Sequence, residues 1–406
     1  FLMYIVLLIL DFYNLLNLET KVFNYIVLLG LVLVILPGIF LLVFPTLKIP
    51  TPSGDYAVGT KIYEVEDVGR NETYGDVNLK RKIKYQIYYP SDNTYGYTQA
   101  KWISDGKLLT RAFAKDLKLP SFILDQTASI KSNSFINAPV SDKLESFPVV
   151  LISHGWRGFR EFHTDYAEEL ASNGYIVISI DHTYGSQLVS FKDGSIAKIN
   201  REALPNFTPP KKFLAYSSAL ATTYGKDVLT VLDDLENLNK NDTHLQNKLD
   251  LESIGLLGHS TGGGGMVYAA LEDSRITALM GLDAWVEPLQ GYNLDAGLRI
   301  PSLYLKSEQW SNRPNSQYLN QIIKHSDKAT LIELAKTKHI DFSMAYMYSP
   351  VTKYINFTGK LGGRKSSTIQ RKLILQFFNK NLSYQTGSEN YLTIIENKYD
   401  AVKIVK

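Results

Sequence analysis

Residues 254–263 read Ile-Gly-Leu-Leu-Gly-His-Ser-Thr-Gly-Gly, and this stretch decides the fold. An apolar, strand-like run at 254–257 leads directly into Gly258-His259-Ser260-Thr261-Gly262, which fits the pattern G-x-S-x-G, and a helical run of small residues follows at 262–271. By chance alone the pattern occurs in about one chain in ten of this length, so its context carries the interpretation. Strand, tight turn and helix in this order predict a nucleophile elbow, in which the turn lifts the hydroxyl of Ser260 clear of the backbone.

The elbow is one of a series of short apolar runs that alternate with helical patterns. These runs are rich in Val, Ile and Leu and lie at residues 147–153, 175–181, 253–257, 276–282, 301–305 and 329–334. Such runs are typical of a parallel sheet covered by helices on both faces. Helices are predicted around Phe162, Tyr166 and Leu170, and at 226–238. Two earlier segments, 58–67 and 82–89, alternate polar and apolar residues like half-buried antiparallel strands.

Two segments lie outside this pattern. Residues 91–140 combine a predicted helix at 108–117 with turns, and residues 184–223 read as a long irregular insertion that contains three prolines. Long loops in α/β proteins commonly form lids or pocket walls. Plain surface elaboration is an equally good interpretation of both segments.

The composition excludes several classes of protein. Of 406 residues, 45% are hydrophobic and 20% charged, which is typical of a chain that folds around a core. The net charge of +3 is small and evenly spread, so no nucleic-acid partner is predicted. The chain has no cysteine, which excludes disulfides, thiolate metal sites, iron–sulfur clusters and cysteine nucleophiles. We predict no metal and no cofactor.

The N-terminal residues 1–47 are predicted to be a membrane segment. Residues 22–47 carry no charge, and about 20 apolar residues are enough to cross a bilayer. A core helix of this length would show a polar stripe, and a secretory signal would be shorter and end in a small-residue cleavage site. We therefore interpret 22–47 as a span. A second apolar run at 1–16 is interpreted as part of an earlier span that is cut short where the sequence begins.

The two apolar runs set the expected orientation and the domain boundaries. If the short linker between them is cytoplasmic, the rest of the chain lies outside, and an extracytoplasmic domain is what we expect. Residues 48–382 are predicted as the α/β domain and residues 383–406 as a C-terminal extension.

The order of the motifs selects the catalytic base. A serine hydroxyl is a poor nucleophile until a base takes its proton. Of seven histidines, His339 follows the last parallel run and so fits the order serine, acid, histidine of α/β-hydrolases. His182 precedes the serine, and His259 within the elbow would point away from the reacting side. The others lie in a turn motif, a helix or polar stretches (His154, His163, His244 and His325).

Two acids could orient the base. Asp283 ends the strand after the elbow strand, and Glu308 ends the strand after that. The role requires a buried carboxylate that fixes the imidazole tautomer. The apolar surroundings of Asp283 favour it slightly, and the residues alone leave both candidates open.

The segment Ser153-His154-Gly155-Trp156 follows the first parallel strand, where α/β-hydrolases keep an oxyanion donor. The backbone amides of Trp156 and Thr261 are the expected donors. Trp156, Trp285 and Trp310 all follow strand ends at the same sheet edge, so they could line an acyl pocket, although core packing explains aromatic residues there about as often.

Taken together, these motifs resemble the platelet-activating-factor acetylhydrolase family, plasma type. The resemblance runs over about residues 50–381 and is carried by residues 55–59, 85–90, 136–140, 153–155, 258–263 and Leu282-Asp283-Ala284-Trp285. It implies a metal-independent ester hydrolase of α/β-hydrolase fold, with Ser260 as nucleophile, His339 as base and Asp283, rather than Glu308, as acid. Thr261 and Ile340 depart from the animal enzymes, and the membrane segment is extra, so the chemistry transfers more safely than the phospholipid substrate does.

The function expected from the sequence is a membrane-tethered serine hydrolase that cleaves short-acyl esters, small or lipid-derived, through an acyl-enzyme. One alternative is a catalytically silent α/β-hydrolase domain that serves as a binding module. Another keeps the same residues in a serine peptidase or an acyltransferase.

Overall fold

A computed structural model of the chain describes residues 5, 6, 9, 10 and 12, and residues 20–206, 208–311, 314–383 and 390–405. Helix α1 (Thr20–Val43) contains Pro37, and residues 44–56 after it belong to no helix or strand. Its part Asn24–Val43 has a mean hydropathy of 3.2 and is long and apolar enough to cross a membrane by length and composition. The predicted earlier span at 1–16 falls largely on residues outside those described.

The domain is built around one large mixed sheet. The strands of the described residues are β1 (Ala57–Asn71), β2 (Lys80–Ser91), β3 (Gln99–Lys101), β4 (Lys131–Ile136), β5 (Phe147–Ser153), β6 (Ile176–Asp181), β7 (Leu188–Ser190), β8 (Ile196–Lys198), β9 (Leu249–His259), β10 (Ile276–Leu282), β11 (Ser302–Ser307), β12 (Ala329–Leu334) and β13 (Val402–Ile404). Eleven of these form the sheet in the order β13-β12-β11-β10-β9-β5-β6-β2-β1-β4-β3. The six strands from β12 to β6 are parallel, which confirms the predicted mostly parallel sheet.

Helices cover both faces of this sheet. In the described part of the chain the helices after α1 are α2 (Lys107–Asp116), α3 (Thr164–Ser172), α4 (Pro210–Asn241), α5 (Thr261–Glu272), α6 (Asn315–His325), α7 (Gly363–Asn381) and α8 (Tyr391–Lys398). One apolar core joins the sheet to α4, α5 and α6, and a second core joins its other face to α3, α7 and α8. Because the central strands β5, β6 and β10 are buried on both faces, they are mostly apolar.

Two predicted boundaries are wrong. Residues 184–223 are not irregular throughout, since β7 and β8 pair as a hairpin and α4 begins at Pro210. Proline is favoured in the first turn of a helix because its missing N–H would be unpaired there anyway. Helix α1 ends at Val43 rather than at residue 47, and Phe44 and Leu47 pack against the domain instead.

The C-terminal residues predicted as an extension contribute α8 and β13. Strand β13 pairs antiparallel with β12 through Leu334 and Val402 and so forms the outer edge of the sheet. The helix predicted at 108–117 is confirmed as α2.

Candidate active site

Ser260 lies at the tight turn between β9 and α5. Its backbone has φ 57° and ψ −123°, a conformation that costs a non-glycine residue free energy and that marks a constrained turn. The turn closes tightly, because a Cβ atom on Gly258 would lie 2.6 Å from the carbonyl oxygen of Gly262. The amide of Ser260 donates to the carbonyl of Leu282 on the neighbouring strand β10 (3.0 Å). The sequence-predicted elbow is therefore present as a strand–turn–helix unit.

His339 connects this serine to a carboxylate. It begins a short 3₁₀ turn, His339–Phe342, after β12. Its Nε2 lies 2.9 Å from Oγ of Ser260, and its Nδ1 lies 2.9 Å from Oδ2 of Asp283. Because a carboxylate only accepts hydrogen bonds, Nδ1 carries the proton and the lone pair of Nε2 faces the hydroxyl.

Asp283 is held rigidly at the end of β10. Its side chain is buried and accepts two hydrogen bonds from Ser307, one from the amide (2.7 Å) and one from the hydroxyl (2.6 Å), besides that from His339. The alternative acid, Glu308, is exposed and accepts instead from the amide of Lys336 (2.7 Å). The structure thus brings Asp283, and not Glu308, against the imidazole.

The rest of the His339 surroundings were not foreseen from the sequence. The indole of Trp310 stacks on the imidazole, with 4.3 Å between centroids and 7° between planes. On another side lies the ring of His259, at 4.6 Å, whose Nε2 is 3.0 Å from the carbonyl oxygen of His339. Burial, and then the nearby imidazole of His339, hold the pKa of His259 well below its usual value, so His259 is uncharged.

The turn after β5 lies directly against the serine. A Cβ atom on Gly155 would be 2.8 Å from Cβ of Ser260. The carbonyl of Gly155 accepts from Nδ1 of His154 (2.7 Å) and from the amide of Gly158 (2.9 Å). Since a trans peptide directs its N–H opposite to its C=O, these bonds fix the orientation of the Trp156 amide. Burial and the nearby His182 lower the pKa of His154 to about 3, so the imidazole that donates to the carbonyl of Gly155 is neutral.

A cavity of about 490 Å³ opens above the serine. Ser260, Thr261 and His339 form part of its wall, and all three predicted tryptophans contribute to it. Its remaining lining residues are Arg157, Leu204, Phe213, Glu287, Pro314 and Asn315. Leu204 and Phe213 belong to the predicted insertion, which therefore forms one wall of the cavity.

A second serine–histidine–aspartate constellation lies beneath the first. Nε2 of His182 is 2.7 Å from Oγ of Ser153, and its Nδ1 is 3.0 Å from Oδ2 of Asp227. All three residues are fully buried, so no substrate reaches them. Asp227 is paired with Arg81, which holds the pKa of that carboxyl well below its ordinary value against the cost of burial. This network joins β2, β5, α4 and the residue after β6, behind the turn that follows β5.

The described residues contain no cluster of metal ligands. Among them, no group of three His, Asp or Glu side chains is arranged to hold a metal ion.

Comparison with known proteins decides the family. The sequence model of the family described as "Platelet-activating factor acetylhydrolase, isoform II" matches residues 41–208 and 212–401, which is most of the chain. The chain belongs to this family. A curated relative, the platelet-activating factor acetylhydrolase of Canis lupus familiaris, is 23% identical over 377 residues, which cover 86% of this chain and 81% of the relative.

Two further likenesses come from outside the animal enzymes of this family. A protein of Arthroderma benhamiae named "Probable 1-alkyl-2-acetylglycerophosphocholine esterase" is 24% identical over 266 residues, covering 62% of this chain and 59% of the relative. The solved structure of a ferulic acid esterase from Streptomyces cinnamoneus superimposes with a TM-score of 0.70 at 21% identity and covers 89% of this chain. At that identity the structural likeness extends to the fold alone.

Proposed function

We propose that this chain is a membrane-tethered serine ester hydrolase of α/β-hydrolase fold that removes short acyl groups from lipid-derived esters. The observation that carries the proposal is the continuous hydrogen-bonded chain from Ser260 through His339 to Asp283, with 2.9 Å at each step. This is the arrangement by which a base activates a serine and a buried acid orients the base.

In the first half of the reaction, Oγ of Ser260 attacks the ester carbonyl carbon while Nε2 of His339 takes its proton. The negative charge on the carbonyl oxygen is stabilised by the amides of Trp156 and Thr261, and Asp283 stabilises the imidazolium. The tetrahedral intermediate then collapses. The bond to the leaving alcohol breaks, His339 returns its proton to that alcohol, and the acyl group stays on Ser260.

In the second half, water replaces the alcohol. His339 takes a proton from water as the water oxygen attacks the acyl carbon. The second tetrahedral intermediate uses the same two amide donors. Its collapse releases the carboxylic acid, and the proton on His339 returns to Ser260.

The ester class is inferred from family and cavity together. One relative is named as a platelet-activating factor acetylhydrolase, and another as a probable 1-alkyl-2-acetylglycerophosphocholine esterase. Trp156, Trp285 and Trp310 around the serine provide apolar walls, while Arg157 and Glu287 provide polar contacts at the same cavity. Such a cavity suits a small acyl group joined to a larger polar alcohol.

The tether rests on α1. Its segment Asn24–Val43 is only 6% buried, unlike a core helix of a soluble domain. We propose that it crosses the bilayer and holds the domain, residues 48–382 with the C-terminal residues packed on it, on the extracytoplasmic side. Extraction of membranes at alkaline pH tests the tether, since the full chain should stay with the lipid, and its release into the soluble fraction would contradict the span.

The catalytic proposal is tested with a panel of p-nitrophenyl esters and of glycerophospholipids that differ in acyl length. We expect free acid to be released, with rates that fall as the acyl chain lengthens. Ser260→Ala should lower kcat/KM by at least about 10³-fold, whereas Ser129→Ala, at an exposed serine that bonds only the carbonyl of Gln126, serves as a matched control.

Each outcome of this panel separates the alternatives. Activity that survives in Ser260→Ala would refute the serine mechanism. A lack of turnover in the wild type would favour the silent binding module. Transfer of the acyl group to an added alcohol without release of acid, or cleavage of peptides instead of esters, would favour the acyltransferase or the peptidase.

A further inference from the structure

The turn after β11 holds the catalytic base through three consecutive residues. Glu308 accepts a hydrogen bond from the amide of Lys336, and Gln309 accepts one from the amide of His339 (2.9 Å). The third residue, Trp310, stacks face to face on the imidazole. The first two contacts fix the backbone that carries the histidine, while the third contact involves the reacting ring itself.

We propose that Trp310 is a positioning residue that stabilises the imidazolium form of His339 while the proton of Ser260 is on the ring. The inference rests on the proposed function, because it assigns a role within that serine mechanism. A cation over the face of an indole, within about 6 Å of the ring centroid, is attracted by the negative face of the π system. The centroid distance of 4.3 Å and the 7° angle satisfy this condition.

Both rings are partly buried. The His339 side chain is 26% exposed, and Trp310 covers one of its faces at the wall of the cavity. A bound substrate would fill the cavity and remove water from the other side. An attraction between a cation and a π face grows when water is excluded.

The other charges near His339 come from several elements. Asp283 accepts from Nδ1, and His259 is uncharged for the reason given above. Arg157 and Glu287 stand on the cavity wall. The turn of His339 itself carries Lys338 and Asp341, and the turn after β11 carries Glu308. A substitution at Trp310 leaves all of these charges in place, so a comparison between variants isolates the contribution of the indole.

The experiment compares pH profiles of kcat/KM for p-nitrophenyl acetate in the full chain. Trp310 favours the protonated ring, so Trp310→Leu should move the acid limb to lower pH by about half to one pH unit and reduce the limiting rate about threefold to tenfold. Trp310→Phe keeps a weaker π face, so its acid limb should lie between those of the wild type and of Trp310→Leu. Trp285→Leu removes a tryptophan of the same cavity that does not stack on His339, so the acid limb should stay where it is in the wild type.

One further variant keeps the outcome unambiguous. A fluorinated tryptophan at position 310 keeps the shape of the side chain but weakens its negative face, so it should also move the acid limb to lower pH. This variant replaces Trp310→Leu in the test if the leucine variant does not fold. An acid limb that stays in place in the Trp310 variants, or that moves equally in Trp285→Leu, would overturn the role of Trp310. Activity retained in Ser260→Ala would instead overturn the serine mechanism.

Discussion

Gly155→Ala probes the contact between the oxyanion turn and the nucleophile. The new Cβ atom would lie 2.8 Å from Cβ and 3.3 Å from Oγ of Ser260. Ordinary contact begins near 3.4 Å, so the turn or the serine has to move by several tenths of an ångström. The same peptide carries the Trp156 amide, so the oxyanion donor moves with it. Loss of an oxyanion donor, or a shift of the reacting groups that approaches 1 Å, lowers the rate about 10²-fold.

The expected result is a fall of about 10²-fold in kcat for p-nitrophenyl acetate, with KM changed little, because the amide acts on the transition state rather than on the bound ester. Gly291→Ala is the matched control, since a Cβ atom there would have nothing within 4 Å. Thermal unfolding of both variants separates a loss of geometry from a loss of fold. A Gly155→Ala protein that folds normally and keeps its wild-type kcat would refute the placement of the oxyanion turn.

Three further substitutions test other contacts. Asp283→Asn should lower kcat by about 10³–10⁴-fold because the amide no longer fixes the imidazole tautomer; a loss under tenfold in steady-state kinetics would exclude the acid role. His163 has its pKa lowered to about 4 by burial, so its neutral form adds stability above pH 6.5 that is lost as pH falls towards 4. In urea unfolding, the free energy of unfolding of the wild type should therefore lose on the order of 2–3 kcal/mol relative to that of His163→Gln as the pH falls across that window. A difference between the two proteins that stays constant with pH would contradict this expectation. Arg81→Met leaves the buried carboxylates of Glu72 and Asp227 without that partner and should lower the free energy of unfolding by about 3–5 kcal/mol. The control Arg299→Met, at an exposed ion pair, should lower it by under about 1 kcal/mol. Equal losses in the two variants would argue against the buried network.

Much of the fold could be predicted because burial on both faces leaves a clear mark in the sequence. The runs that became β5, β6, β10 and β12 are apolar at nearly every position, and the helix around Tyr166 shows the spacing of one buried face. The start of α4 at Pro210 does not follow from the sequence pattern, because several nearby prolines indicate irregular chain, although the first helical turn tolerates proline.

The three main residues of the candidate site could also be predicted. Motif order along the chain pointed to Ser260 and His339, and resemblance decided between Asp283 and Glu308. Their catalytic roles, like the membrane span, stay predictions. The supports of the site were not predictable, because Ser307 and Trp310 contact their partners only after distant strands have come together. The position of Trp310 after a strand end predicts it at the cavity wall, but its stacking on His339 and the support that Ser307 gives to Asp283 follow from no sequence motif.

The most direct measurement for the central claim is peptide mapping by mass spectrometry after reaction with a fluorophosphonate probe. An activated serine reacts with such a probe, whereas an ordinary serine hydroxyl does not. The account predicts a single adduct on the peptide that contains Ser260, and loss of that adduct in His339→Ala although the serine is still present. An adduct on a different residue, or labelling of Ser260 that is unaffected by removal of the imidazole, would contradict it.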